Sequence, residues 1–264
     1  MRIAIYDSGI GGLTVFYLAY KLRPNYHYIY FSDTKNAPYG IKLKQQVKDI
    51  VIDVVDYLYN LNIDALVVAC NTATAVAIND IRNKYSIPII GMEPAVKPAV
   101  EIVEPSLKVL VTATPLTLKE EKFNNLVHKV DPGGIVEVLP LPKLVEFAEE
   151  ENFDFSIVSK YLIHELSKFN LQEIGTLVLG CTHFPYFYKI FKEVLPSHIK
   201  IIDGNLGTVK NLFHKIDNLN KPNSNISQID FYISKEKQKD ISKIHKYFSI
   251  LEENYIPFID TKID

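Results

Sequence analysis

Nine short apolar runs recur along the chain, at 2–6, 27–31, 65–69, 87–91, 108–112, 135–138, 176–179, 199–202 and 229–233. Between most of them the apolar residues return at helical spacing, as in 44–59 and 157–169. No feature constrains the fold more. Short apolar strands separated by helices cannot pair as hairpins. They line up in parallel, buried on both faces by the helices that connect them. The expected class is therefore α/β with mostly parallel sheets. Nine strands exceed what one small open sheet needs, so two sheets are expected.

A boundary between them is expected at 93–105, where Pro94, Pro98 and Pro105 crowd together and limit helix continuation. The polar stretch 217–227, DNLNKPNSNIS, reads as a surface loop. The Lys-rich stretch from Lys235 to Lys246 reads as a solvated helix face. One internal echo stands out. ALVVACNTATA at 65–75 and TLVLGCTHFPY at 176–186 share an apolar strand, a small residue, then Cys and polar groups opening the next helix. Cys70 and Cys181, the chain's two cysteines, thus both fall at the carboxyl end of a strand. Open α/β sheets bind their ligands there.

Composition removes several classes. A formal net charge of −2 leaves no electrostatic footprint for nucleic acid. No apolar run nears the roughly 20 residues that span a bilayer. The N-terminus has no signal-peptide pattern, and strand sequence starts straight after Met1, so no leader is expected. A cytoplasmic protein follows as the expectation, and with it two free thiols instead of a disulfide.

A cysteine at a helix start is placed to carry negative charge, because unpaired N–H groups and the helix dipole favour a thiolate. From about 8.5, a modest shift brings a thiol near neutrality, where a general acid or base works best. Two equivalent thiols suit a symmetrical task such as racemisation. One takes a proton from one face of a chiral carbon while the other delivers a proton to the opposite face. His183, two residues after Cys181, would bond that thiol or a substrate ammonium; otherwise it is an ordinary loop histidine. Asp7, ending the first strand, would pair with an ammonium or assist a thiol. It or Ser8 would otherwise cap the helix that follows.

The rivals are weaker. Cys181-Thr182-His183 lacks a tetrahedral ligand spacing, no Cys-x-x-Cys pair occurs, and no Walker loop is present. The loop YDSGIGGL at 6–13 suggests a phosphate cradle, and Asp33 sits where a ribose-binding acid belongs. Yet Thr14 stands where the dinucleotide fingerprint wants its third glycine, and Asp7 would face a pyrophosphate.

The set DSGIGGLTV at 7–15, APYG at 37–40, VVACNTAT at 67–74, GMEPAVKPA at 91–99 and LVLGCTHFP at 177–185 resembles the glutamate racemases, within the cofactor-independent aspartate/glutamate racemases. The match runs in order over most of the chain. The resemblance implies interconversion of L- and D-glutamate for bacterial peptidoglycan, without cofactor or metal. It implies two similar α/β domains, 1–97 plus 208–264 and 98–207, with a small acidic amino acid in the cleft between them. A homodimer is implied as well. Carried over by position, Cys70 and Cys181 match the two catalytic thiols, and Asp7 and His183 match their assistants. Ser8, Pro38, Tyr39, Gly40, Asn71, Thr72 and Thr182 match substrate-binding positions, and Thr114 and Thr117 the threonine pair. Two segments depart from the pattern. VLPLPKLVE at 138–146 lacks the usual Cys-Pro start, with Glu146 fitting the assisting glutamate, and KIIDGN replaces the more usual Asp-Ser-Gly at 200–205.

Overall fold

The computed structural model describes residues 1–219 and 227–256. In chain order the first half carries β1 (Arg2–Asp7), α1 (Leu13–Leu22), β2 (His27–Ser32), α2 (Lys44–Tyr59), β3 (Ala65–Val68), α3 (Asn71–Lys84) and β4 (Ile89–Gly91). The middle carries α4 (Val96–Ile102), β5 (Lys108–Ala113), α5 (Pro115–Lys119), α6 (Glu121–Val130), β6 (Val136–Pro140), α7 (Pro142–Glu149), α8 (Phe155–Leu166), β7 (Ile174–Leu179), α9 (Tyr188–Val194) and β8 (Lys200–Asp203). The chain then returns through α10 (Asn205–Asp217), β9 (Gln228–Ile233), β10 (Glu236–Lys237) and α11 (Ser242–Asn254).

All nine expected strands form, in two sheets. The first has the order β10-β9-β2-β1-β3-β4 and the second β6-β5-β7-β8. Every pairing is parallel except β10 with β9. The protein is thus two α/β domains with mostly parallel sheets. Within each sheet four strands repeat one order: β2-β1-β3-β4 in the first, β6-β5-β7-β8 in the second. The echo between the two cysteine segments is the local trace of that repeat, since β3 and β7 occupy equivalent places.

Alternation along each strand feeds two layers of core. Ile3 and Ile5 face one side of the first sheet, Ala4 and Tyr6 the other, where α2 and α3 cover them. In the second sheet Leu110 points into the same core as Ile3 and Ile5, while Val109 and Val111 pack under α4 and α6. One apolar core therefore runs on from the first sheet into the second. The C-terminal helix reinforces it: Tyr247 of α11 donates a hydrogen bond to the Ala148 carbonyl at 3.2 Å, and its ring meets Tyr186.

Two expectations need correction. The proline-rich stretch does contain a crossing, but α4 forms within it with Pro98 inside and packs on the second sheet. The Lys-rich C-terminal stretch is not one helix face. Its start is a tight hairpin, with Ser234 and Lys235 at positive φ between β9 and β10, and helix begins at Ser242. Lys235, Lys237, Lys243 and Lys246 each meet a carboxylate there. Most of the expected surface loop at 217–227 lies outside the described residues. Among the described residues no helix is long and apolar enough to cross a membrane.

Candidate active site

In a sheet of order 2-1-3-4 the chain reverses its direction of winding between the first and third strands, and a crevice opens at their carboxyl ends. In the first sheet that point lies between Asp7-Ser8 after β1 and Cys70 after β3. In the second it lies between Thr112–Thr114, at the end of β5, and Cys181 after β7. These two crevices face each other and form one cleft. Ser8, Tyr39, Cys70, Asn71, Cys181 and His183 line it, together with Pro38, Gly40, Thr72, Thr114, Glu146 and Thr182. Of the expected site residues, Asp7 and Thr117 alone stand outside that lining, both of them behind it.

Cys70 is the N-cap of α3, and its sulfur accepts the Ala73 N–H at 3.4 Å. Asn71 and Thr72, the first two residues of the helix, are thus not needed as its cap. The Ser8 hydroxyl lies 3.5 Å from the same sulfur. The fall towards neutrality that a helix start favours is not what the surroundings of Cys70 produce. Burial pushes Cys70 up to about 12, the Asp7 carboxylate pushes the same way, and the bonds from Ser8 and Ala73 only partly offset them. A helix start favours a thiolate, but removal of water outweighs it.

Cys181 has a different neighbour. His183 Nδ1 lies 3.7 Å from its sulfur, and Nε2 lies 2.8 Å from Glu149 Oε1. Burial pulls the imidazole down, yet the bonds to Cys181 and Glu149 outweigh it and leave His183 well above its ordinary value. Glu149, despite burial, is held below the usual glutamate range by His183 and the Ile10 N–H. The carboxylate that reaches His183 is therefore Glu149 and not Glu146, the residue expected from sequence. Glu146 lies one turn earlier on α7, exposed at the rim of the same cleft.

Asp7 is fully buried and caps no helix. It accepts the Gly9 N–H at 3.0 Å through one oxygen and the Thr182 hydroxyl at 3.0 Å through the other. One carboxylate at the end of β1 so reaches across to the residue after Cys181. Burial raises it above the usual aspartate range, against the pull of His183, Gly9 and Thr182. The loop glycines are explained by these neighbours. A Cβ on Gly9 would collide with the Glu149 carboxylate, and one on Gly11 with the His183 ring and the Thr182 hydroxyl. Backbone without side chains lets the two domains meet there.

Across the cleft, the Thr72, Thr114 and Thr117 hydroxyls form a closed triangle with edges of 2.9, 3.1 and 2.9 Å. Asn71 is the exception among these polar groups. The residue is 3% exposed, and both its side-chain amide nitrogen and its carbonyl oxygen lack a partner. A buried amide left so costs free energy of about 1–3 kcal/mol per group, which a ligand offering both a donor and an acceptor would relieve. Glu149 is the residue that sequence reasoning missed. The signal was faint: a Glu149-Glu150 pair closing a helix whose inner face bears Leu144, Val145 and Ala148.

The chain is 52% identical over 255 residues to a glutamate racemase of Halothermothrix orenii, covering 96% of this chain and 100% of that one. It is 48% identical over 259 residues to glutamate racemase 2 of Bacillus subtilis, with 96% and 97% covered. Among solved structures, glutamate racemase of Francisella tularensis in complex with D-glutamate superposes with a TM-score of 0.79 at 27% identity, covering 99% of this chain and 98% of that one. The family described as Asp/Glu/Hydantoin racemase matches residues 17–212. This chain belongs to the Asp/Glu/Hydantoin racemase family.

Proposed function

We propose that the protein interconverts L- and D-glutamate by a cofactor-independent two-thiol mechanism and supplies D-glutamate for peptidoglycan. The observation that carries this reading is the pair of cysteines, one from each domain at equivalent strand ends, lining one cleft. A thiolate on one side takes the α-proton and becomes a thiol. The carbanion left behind receives a proton from the opposite thiol, which becomes the thiolate. The product has inverted configuration, and the enzyme is left with its two sulfur states exchanged.

The surroundings give each sulfur its own help. Beside Cys181 a protonated His183, fixed by Glu149, is a partner for negative charge on sulfur. Beside Cys70 stand the Ser8 hydroxyl, the Ala73 N–H and, behind them, Asp7. The substrate's polar groups displace some of the desolvation that holds the Cys70 proton in place; its ammonium is the cation this side otherwise lacks. Asn71 offers its amide to a carboxylate and its carbonyl to the ammonium. Ser8, Pro38, Tyr39, Gly40, Thr72, Thr114 and Thr182 supply the remaining walls, and Thr117 holds Thr72 and Thr114 from behind. Glu146 stands exposed at the rim of the cleft.

The same reading divides the chain into 1–97 plus 208–264 and 98–207, in line with the crossings that follow β4 and β8. It places the enzyme in the cytoplasm, acting on a small amino acid, as a homodimer. Protein incubated with L-glutamate in deuterium oxide, without added pyridoxal phosphate or metal, should yield D-glutamate deuterated at the α-carbon. A folded sample that turns over neither glutamate nor aspartate would overturn the reading. Turnover of aspartate alone would move the assignment to an aspartate racemase.

A further inference from the structure

Asp33 has no part in the reaction as described, yet it is a buried carboxylate at the end of β2, 3% exposed. Its hydrogen bonds are specific. It accepts the Tyr39 hydroxyl at 2.6 Å and the Asn36 side-chain amide at 2.9 and 3.1 Å. The Tyr39 oxygen in turn lies 2.6 Å from the Tyr6 hydroxyl, and both phenols are buried. Tyr39 has one proton and an ionised carboxylate can only accept. The Tyr39 proton therefore goes to Asp33, and Tyr6 must donate to Tyr39. The charge on Asp33 fixes the direction of the whole chain.

That direction has a consequence for the cleft. The Tyr39 hydroxyl is fully engaged away from the site, so it is not the atom that meets substrate. What Tyr39 brings to the cleft is the backbone of Pro38, Tyr39 and Gly40, held over the opening with Gly40 pressed against Thr114. A Cβ on Gly40 would lie 2.9 Å from the Thr114 hydroxyl oxygen. This wall of the cleft is a short 3-10 turn of three residues, Tyr39–Ile41, with no side-chain cap and little structure of its own. Its position is set from below, by a phenol hooked onto a buried charge and onto β1.

The structure assigns Asp33 as a positioning residue: through the Tyr39 hydroxyl it holds the Pro38–Gly40 backbone where the substrate binds. This rests on the reading of the cleft as a racemase site. Loss of the anchor weakens substrate binding and leaves the thiols untouched, so the effect falls on KM and not on kcat. A charge-assisted hydrogen bond is involved, and the expected rise in KM is at least about tenfold.

The test compares the wild-type enzyme with Asp33→Asn, Tyr39→Phe, the double variant and Tyr28→Phe. Tyr28 is a control, since its buried hydroxyl bonds only to the Ala19 and Arg23 carbonyls, remote from the cleft. Steady-state racemisation gives KM and kcat, calorimetry with D-glutamate gives affinity without turnover, and thermal melting reports folding. Asp33→Asn and Tyr39→Phe should each raise KM and weaken D-glutamate binding by similar factors, with kcat within about twofold of wild type. The double variant should be no worse than the worse single one, because both changes break one chain. Tyr28→Phe should keep the wild-type KM. If Asp33→Asn does not fold, Tyr39→Phe against Tyr28→Phe carries the comparison. Unchanged KM in a folded Tyr39→Phe variant, additive losses, or a fall confined to kcat overturns the assignment. A wild-type enzyme that neither binds nor turns over glutamate instead overturns the racemase reading on which it rests.

Discussion

The Cys70 and Cys181 corners occupy equivalent places in two sheets of the same strand order, yet their surroundings differ in kind. Cys70 begins a full α-helix and draws on the Ala73 N–H and the Ser8 hydroxyl, with a buried carboxylate nearby and, among the described residues, no cation bonded to its sulfur. After Cys181 the chain runs through His183 into a 3-10 turn at Phe184–Phe187, and the sulfur faces an imidazole backed by Glu149. The repeat fixes where the two sulfurs stand. Their electrostatics are set by residues that the two halves do not share, Asp7 at the end of β1 on one side and Glu149 at the end of α7 on the other. A symmetrical reaction is thereby run by an unsymmetrical pair, with Cys70 resting as a thiol until substrate brings a positive charge.

The sharpest way to break this comparison is to remove each sulfur in turn. Cys70→Ala and Cys181→Ala should each lower racemisation in both directions by on the order of 10²–10⁴-fold, the usual contribution of a positioned acid or base. Chiral chromatography of both reaction directions reads this out. A variant that keeps near-wild-type rates removes its sulfur from the mechanism.

The two glutamates of α7 sharpen it further. Glu149→Gln keeps the shape but removes the charge that sustains the His183 cation, and should cost about 10-fold to 100-fold in kcat. Glu146→Gln, exposed at the rim, should stay within a few-fold. Equal effects would mean that the hydrogen bond to His183 has no catalytic weight.

The smallest effect is on stability against pH. His183 is raised in the folded protein, so its stabilising contribution is complete below its unfolded value of about 6.5 and is lost as pH rises through the higher folded value. Glu149 is lowered, so its contribution is present above about 4.3 and is lost as pH falls through the folded value. The pair supports the fold between these limits. Cys70, held up to about 12, adds a further loss of stability once the pH passes the ordinary thiol range. In melting curves from pH 5 to 10, His183→Asn should flatten the decline above pH 6.5, and Cys70→Ala the decline that begins near pH 9. An unaltered slope in either variant contradicts the shift assigned to that residue.

Much of this was legible in the sequence because it is local. Each of the nine apolar runs is a strand, since a strand buried on both faces needs a continuous apolar stretch. The two-residue β10 was invisible, for Glu236 and Lys237 are exposed and carry no apolar signature. The cysteines could be read as strand-end residues from their flanks alone. The roles of Asp7 and Asp33 could not. Asp7 reads as an assistant to a thiol, a partner for an ammonium or a helix cap, and Asp33 only as the acid of a disfavoured dinucleotide site, until the partners of their oxygens are known.

Glu149 shows the same limit. Glu146 and Glu149 lie one turn apart on α7, and helical periodicity cannot say which of them meets His183. That is decided by how closely α7 approaches the loop after β1, where the absence of a side chain on Gly9 leaves room for the Glu149 carboxylate.

The sequence by itself determined the α/β class, the paired strand-end thiols and the residues around them, because apolar periodicity and short motifs act within a few residues. Only the tertiary structure decided which carboxylate serves which sulfur, that Cys70 rests protonated, and that Asp33 anchors a wall of the cleft. Those outcomes depend on burial and on hydrogen bonds between segments far apart in the chain. Desolvation and Coulomb interactions are set by distance in space, and a sequence records only distance along the chain.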